Sequence, residues 1–99
     1  MDPSLERLRV LLVRELREGK PDREPTIIIE QTGPGGPVHL YVIWSEWGEL
    51  PVEDRAMVIL KAYEEVEGTD KALEVTLALG LRAEEAPRFG IELTDLVGA

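Results

Sequence analysis

The fold is decided by residues 38–68, which read VHLYVIWSEWGELPVEDRAMVILKAYEEVEG. Apolar residues alternate with others up to about Ser45, which predicts a strand. A tight corner that contains both tryptophans of the chain follows. From Pro51 onward, apolar residues recur three and four positions apart, as on one face of a helix, and Gly68 is a typical C-cap. We therefore expect a strand–corner–helix unit against which the rest of the chain packs.

A first helix is predicted to begin at Pro3, with Asp2 as its N-cap, and to end at Gly19. Leucines spaced three and four residues apart form one apolar face of this helix, namely Leu5, Leu8, Leu12 and Leu16. The charged residues 19–25 then form a linker.

Residues 26–30, TIIIE, are a β-branched run of strand length. Residues 31–37 hold three glycines and two prolines, so we expect a loop. So short a connection favours an antiparallel hairpin with the strand that follows. In that strand, alternation places Val38, Leu40, Val42 and Trp44 on one face and His39, Tyr41, Ile43 and Ser45 on the other.

Residues 72–81 allow two interpretations. Asp70 could cap a third helix here. However, leucine or valine occupies every second position of Leu73–Leu81, which is the period of a strand. We predict a strand whose leucine row faces the helices, so that Thr76 and Ala78 lie on the opposite face.

The expected fold is α+β, with the order α-β-β-α-β and a three-stranded sheet that carries two helices on one face. Residues 1–99 are expected to form a single domain, because the length suits one core. Residues 83–99 are expected to be a tail, with one helical turn between Ala83 and Arg88.

The composition excludes several classes of protein. A net charge of −9 argues against a nucleic-acid surface, because phosphates are bound by clustered Lys and Arg. The chain has no cysteine, so disulfides, thiolate metal sites and cysteine nucleophiles are excluded. There is no signal pattern and no apolar run long enough to span a membrane, so we expect a cytoplasmic protein without a membrane partner.

The strand LYVIWS and the following WGELPVEDRAMVILKAY resemble the apolar strand, the aromatic-x-Gly corner and the Arg-bearing helix of the BolA-like family. That family has an α-β-β-α-(α)-β fold related to type II KH domains, and the resemblance covers residues 38–66. It implies iron–sulfur chemistry with glutaredoxins, which needs a histidine shortly after the helix arginine. Here Arg55 is followed by Ala56 and Met57. We therefore expect the fold of the family and not its metal function.

His39 is the only histidine of the chain. Without a second histidine or a cysteine, a transition-metal site would have to combine it with carboxylates. The glycines of residues 33–36 superficially match a phosphate-binding loop, but they lead through Pro37 into a strand, whereas such loops lead into a helix. We interpret His39 as a polar strand residue and the glycines as a hairpin loop.

Four carboxylates surround the corner, namely Glu46, Glu49, Glu53 and Asp54. They could form a divalent-cation site or a catalytic carboxylate pair, although their spacing fits no calcium loop. Acidic residues in the first turn of a helix are also favoured by its dipole. A metal-dependent domain or a small enzyme that uses these carboxylates with His39 is therefore the alternative hypothesis.

Trp44 is expected in the core. Trp47 either packs against the start of the following helix or is exposed as a contact residue for a partner. The sheet face opposite the helices is expected to expose Tyr41 and Ile43. Three occupants are possible for this face: the tail with Ile91, Leu93 and Leu96, a second copy of the chain, or another protein.

The function that we expect from the sequence is non-catalytic: contact with other proteins and self-association as a homodimer. No catalytic residue, metal ligand or cofactor is predicted. The candidate residues for contact with a partner are Tyr41, Ile43, Trp47 and Met57.

Overall fold

A computed structural model describes residues 3–18, 24–31 and 33–90 of the chain. Its helices and strands are α1 (Pro3–Glu18), β1 (Thr26–Gln31), β2 (Val38–Ile43), α2 (Val52–Glu67), α3 (Thr69–Ala72) and β3 (Val75–Leu81). Two 3₁₀ turns complete the fold, Ser45–Trp47 and Ala86–Phe89. The α+β class and the order α-β-β-α-β are confirmed, with the single-turn α3 inserted before the last strand.

The three strands form one mixed sheet in the order β1-β2-β3. The predicted hairpin is present, since β1 is antiparallel to β2 with Thr26 opposite Ile43 and Gln31 opposite Val38. In contrast, β3 is parallel to β2 because the chain returns through α2 before it re-enters the sheet.

Both long helices pack on one face of the sheet, as the apolar stripes predicted. The stripe of α1 buries Leu8 and Leu12, and α2 buries Ile59. They cover the β2 side chains that alternation assigned to the core, namely Val38, Leu40, Val42 and, just beyond the strand, Trp44. Burial of each large aliphatic side chain contributes roughly 1.5–3 kcal/mol, so this layer supplies most of the stabilisation.

The prediction for residues 72–81 is confirmed as a strand from Val75 onward, and Asp70 lies in the short α3. The side of the sheet predicted for the leucines of this strand, however, was wrong. Leu77 pairs with His39 and Leu81 with Ile43, so these leucines lie on the face opposite the helices.

An irregularity in the pairing of β2 with β3 causes this inversion. Val75 pairs with Val38, but the next pair joins Leu77 to His39, so Thr76 is an additional residue. Such a bulge shifts the alternation by one position. As a result Val75 packs on the helix side and the following leucines point to the other side.

Small residues of β3 face the helices in place of the leucines. Ala78 pairs with Leu40, and Gly80 pairs with Val42. A Cβ atom built on Gly80 would lie 2.8 Å from Cβ of Arg55 and 2.8 Å from Cε2 of Trp47. The close approach of α2 and the corner therefore requires glycine at this position.

No helix in the described part of the chain is long and apolar enough to cross a membrane. Several predictions lie outside the described residues, namely the Asp2 cap, the end of the first helix at Gly19, most of the linker, and the tail with Ile91, Leu93 and Leu96.

Gly80→Ala is expected to lower the free energy of unfolding by about 1–3 kcal/mol, because the added methyl group overlaps Arg55 and Trp47. Thr76→Ala, at an exposed position of the same strand, should change it by less than about 0.5 kcal/mol. Urea denaturation followed by tryptophan fluorescence measures both. Equal stability of the two variants would show that α2 is not closely packed on Gly80.

Candidate functional site

Both tryptophans belong to the core of the corner, which comprises residues 44–51. Trp47 is 1% exposed, and its Nε1 donates a hydrogen bond to the carbonyl of Val42 at 3.0 Å. Its ring meets the ring of Trp44 edge to face, with centroids 5.2 Å apart. Of the two roles considered for Trp47, the structure therefore places it in packing rather than on a contact surface.

Arg55 is buried at the start of α2, with 4% of its surface exposed. Its Nε donates to the carbonyl of Leu50 at 2.7 Å, and its Nη2 donates to that of Gly48 at 3.3 Å. Its Nη1 donates to the carbonyl of Gly80 at 3.1 Å and to Oε1 of Glu85 at 2.8 Å. The guanidinium therefore joins the corner to the end of β3.

Glu85 is the counter-ion of Arg55. The backbone N–H of Arg82 donates to its Oε1 at 2.7 Å, and Nη2 of Arg82 donates to its Oε2 at 3.3 Å. The hydrogen bond from the Arg82 backbone, above all, lowers the pKa of Glu85 from 4.5 to about 2. The side-chain hydrogen bonds from Arg55 and Arg82 add to this effect, and partial burial opposes it. The carboxylate is therefore charged at neutral pH and acts as an acceptor rather than as an acid.

This network is structural in its chemistry. Every nitrogen of the Arg55 guanidinium donates to an acceptor within the chain, and the Glu85 oxygens accept from Arg55 and Arg82. In the sequence, Arg55 stands out only as part of a resemblance and Glu85 does not stand out at all, because their interaction spans thirty positions and leaves no periodic signal.

The carboxylates at the corner do not converge on one point. Glu46 pairs with Arg7 at 3.5 Å, and Glu49 approaches Arg82 at 3.8 Å. Among the residues that the structure describes, no group of three or more His, Asp or Glu side chains could hold a metal ion. His39 lies near the other end of β2, about 13 Å of strand from the end at Ile43. The structure does not bring together the set that the metal or enzyme hypothesis needs.

The sheet face opposite the helices consists of three rows across the strands. From one edge of the sheet to the other, the rows are Thr26–Ile43–Leu81, Ile28–Tyr41–Leu79 and Glu30–His39–Leu77. The first row is covered on its apolar side, because Ile43 and Leu81 form a small buried cluster with Leu79 and with Ala86 of the second 3₁₀ turn. Among the residues that the structure describes, those that cover this face lie at one end of it.

The uncovered end is here named the open patch and consists of Ile28, Glu30, His39, Tyr41 and Leu77. Leu77 is 39% exposed, although it lies in the centre of a leucine-rich strand. The rings of His39 and Tyr41 meet edge to face at 6.5 Å. Burial raises the pKa of Tyr41, and the charge of Glu30 and a hydrogen bond to it add to the rise. The patch is thus apolar, with polar groups along the β1–β2 pair.

The structure separates the four residues predicted to contact a partner. Tyr41 belongs to the open patch, whereas Ile43 is 4% exposed beneath Ala86. Met57 is 44% exposed on α2, in the other layer of the fold. Leu77 was missed, because the leucine row was expected to face the helices.

No protein-family model matches the chain, and no curated protein or solved structure matches it either. The element order, including the single-turn α3, is the order that the BolA-like resemblance implies, and the resemblance stays a prediction.

Glu85→Gln is expected to lower the free energy of unfolding at pH 7 by about 3 kcal/mol, because Arg55 loses its buried counter-charge. The folded-state pKa of Glu85 lies below its ordinary value, so its contribution is complete above pH 4.5 and is lost as the pH falls towards about 2. The difference between wild type and variant should therefore shrink across that window.

Denaturant unfolding at several pH values measures this difference, and Glu84→Gln is the matched control. Glu84 is 67% exposed, and its Oε1 lies 3.4 Å from Nε of Arg82. A stability gap for Glu85→Gln that stays constant from pH 7 to pH 2 would contradict the assigned pKa.

Proposed function

We propose that this protein is a non-catalytic contact protein of the cytoplasm that self-associates through the open patch. One observation carries the proposal: an apolar sheet face is covered by the second 3₁₀ turn at one end and is exposed at the other. A sheet with helices on one side needs a cover on its second side when that side is apolar.

The chemistry of the open patch suits contact with a protein. Ile28, Tyr41 and Leu77 supply apolar surface, and the imidazole of His39 and the carboxylate of Glu30 supply polar groups beside it. Apolar centres with neighbouring polar groups are characteristic of protein interfaces, and tyrosine is enriched there. A nucleic acid is a poor partner, because the chain carries a net charge of −9 and the patch contains no lysine or arginine.

We choose a second copy as the occupant because the open patch can pair with an identical patch of another copy. It is apolar with one carboxylate, and it contains no cation that would call for an acidic partner. Closed two-fold pairs of identical surfaces are the commonest form of assembly among soluble proteins.

Leu77→Glu is expected to convert the wild-type dimer to a monomer, because it replaces an exposed apolar side chain of the open patch with a charged one. The dissociation constant should rise at least about tenfold, which corresponds to about 1.4 kcal/mol. Size-exclusion chromatography with light scattering over a dilution series measures it.

Leu73→Glu is the matched control. Leu73 is 79% exposed, and it precedes β3, so the same substitution there should leave the dimer intact. A monomeric wild type would contradict self-association. An equal loss of dimer in both variants would show that general charge, rather than the open patch, governs association.

Salt is expected to strengthen the association. Each copy carries a net charge of −9, so two copies repel one another, and added ions screen that repulsion. Sedimentation equilibrium at about 0.05 M and 0.5 M NaCl should give a dissociation constant several-fold lower at the higher concentration. A weaker dimer at high salt would mean that ion pairs between the copies dominate the contact.

A further inference from the structure

The outer edge of β1 is a second surface at which another strand could pair. This strand is the first in the sheet order, and within the described residues it pairs with β2 alone. On the outer side of such a strand, N–H and C=O groups of alternate residues point away from the sheet, where another strand can bind them.

Three features that often protect an edge strand, namely lysine, proline and a bulge, are absent from β1. Its sequence TIIIEQ has no proline and no lysine, and its pairing with β2 runs through six residue pairs without a bulge. Natural edge strands use those features to prevent pairing with other chains. A straight run of three isoleucines is instead well suited to form a further ladder.

Ile29 is exposed in an unusual place. By alternation it lies on the same side of the sheet as the helices, yet it is 52% exposed. The helix layer reaches Ile27 of this strand, which packs against the main core, but it leaves Ile29 in contact with water.

We propose that β1 pairs with β1 of a second copy, antiparallel and centred on Ile28. In that register Thr26 lies opposite Glu30 of the other copy, so its hydroxyl can donate to the carboxylate. Ile27 lies opposite the other Ile29, which covers the exposed side chain. Two copies of β1 are thus complementary when Ile28 of one lies opposite Ile28 of the other.

The neighbouring register is less favourable. Centred on Ile29, the pairing would set Glu30 opposite Ile28 and Gln31 opposite Ile27. Both polar residues would then face isoleucine across the strands, without a polar partner. Centring on Ile28 avoids this and places no two like charges directly opposite each other.

Edge pairing shares Ile28 and Glu30 with the open patch, but it is made by the main chain at the outer edge of β1 and does not require contact through the patch. Its two-fold axis is perpendicular to the sheet, so the sheets of two copies become one six-stranded sheet with both open patches on the same side. A face-to-face contact through the patch has its axis parallel to the sheet. If both contacts form and their axes intersect, the assembly is a closed tetramer with perpendicular two-fold axes.

Mixed cysteine variants test the pairing and its register. The chain has no cysteine, so single substitutions Thr26→Cys and Glu30→Cys each introduce one thiol. Opposite residues of antiparallel strands have Cα atoms about 4.5–5.5 Å apart, within the range for a disulfide. Two Thr26 positions would instead be separated by four residues of strand, about 14 Å, which is too far.

Mild oxidation of a mixture of the two variants, one of them carrying a tag, should give a disulfide-linked heterodimer on non-reducing gels. Each variant alone should give at least tenfold less dimer. A mixture of Glu30→Cys with Leu73→Cys, a thiol at an exposed site off the edge, measures collisional cross-linking. A heterodimer yield no higher than that control, or equal cross-linking of each variant with itself, would overturn the proposal.

The same mixture in a Leu77→Glu background separates the two contacts. The cross-link should persist there, even though the open patch has been disrupted, and circular dichroism checks that the variants are folded. Loss of the cross-link in this background would overturn edge pairing as an independent contact. A cross-link that persists, together with an unchanged solution mass for Leu77→Glu, would support edge pairing and refute the open-patch contact.

Discussion

The buried charge of Arg55 is the constraint on which the rest of the structure depends. Removal of a guanidinium from water costs several kcal/mol unless its donors are satisfied and a counter-charge is close. Here the acceptors come from the corner, from Gly80 of β3 and from Glu85 beyond that strand. The charge is stable only when these segments lie in one arrangement, so it fixes their relative positions.

The properties of the opposite sheet face follow from this arrangement. With Arg55 and Trp47 packed against Gly80, the helix side of β3 has no room for a side chain at that position. The three leucines of β3 point away from the helices, and they make the second face apolar. Two features therefore have a single origin: the small core around Ala86 and the exposure of Leu77.

Local patterns predicted much of this fold correctly. The stripes of α1 and α2, the hairpin and the C-cap at Gly68 depend on residues close in sequence, and each is present where its residues are described. The facing of β3 was not predictable in the same way, because one additional residue at Thr76 inverts the alternation. The pair of Arg55 and Glu85 was also missed, since it joins distant segments without any repeating pattern.

The wrong facing of β3 changed the residues assigned to the candidate site. Assigning the leucine row to the helix side made the second face look like a small patch around Tyr41 and Ile43. The bulge at Thr76 moves Leu77 into that face, while the turn at Ala86 removes Ile43 from it. The exposed surface is thus shifted by one row along the sheet, towards Glu30 and His39 and away from the corner.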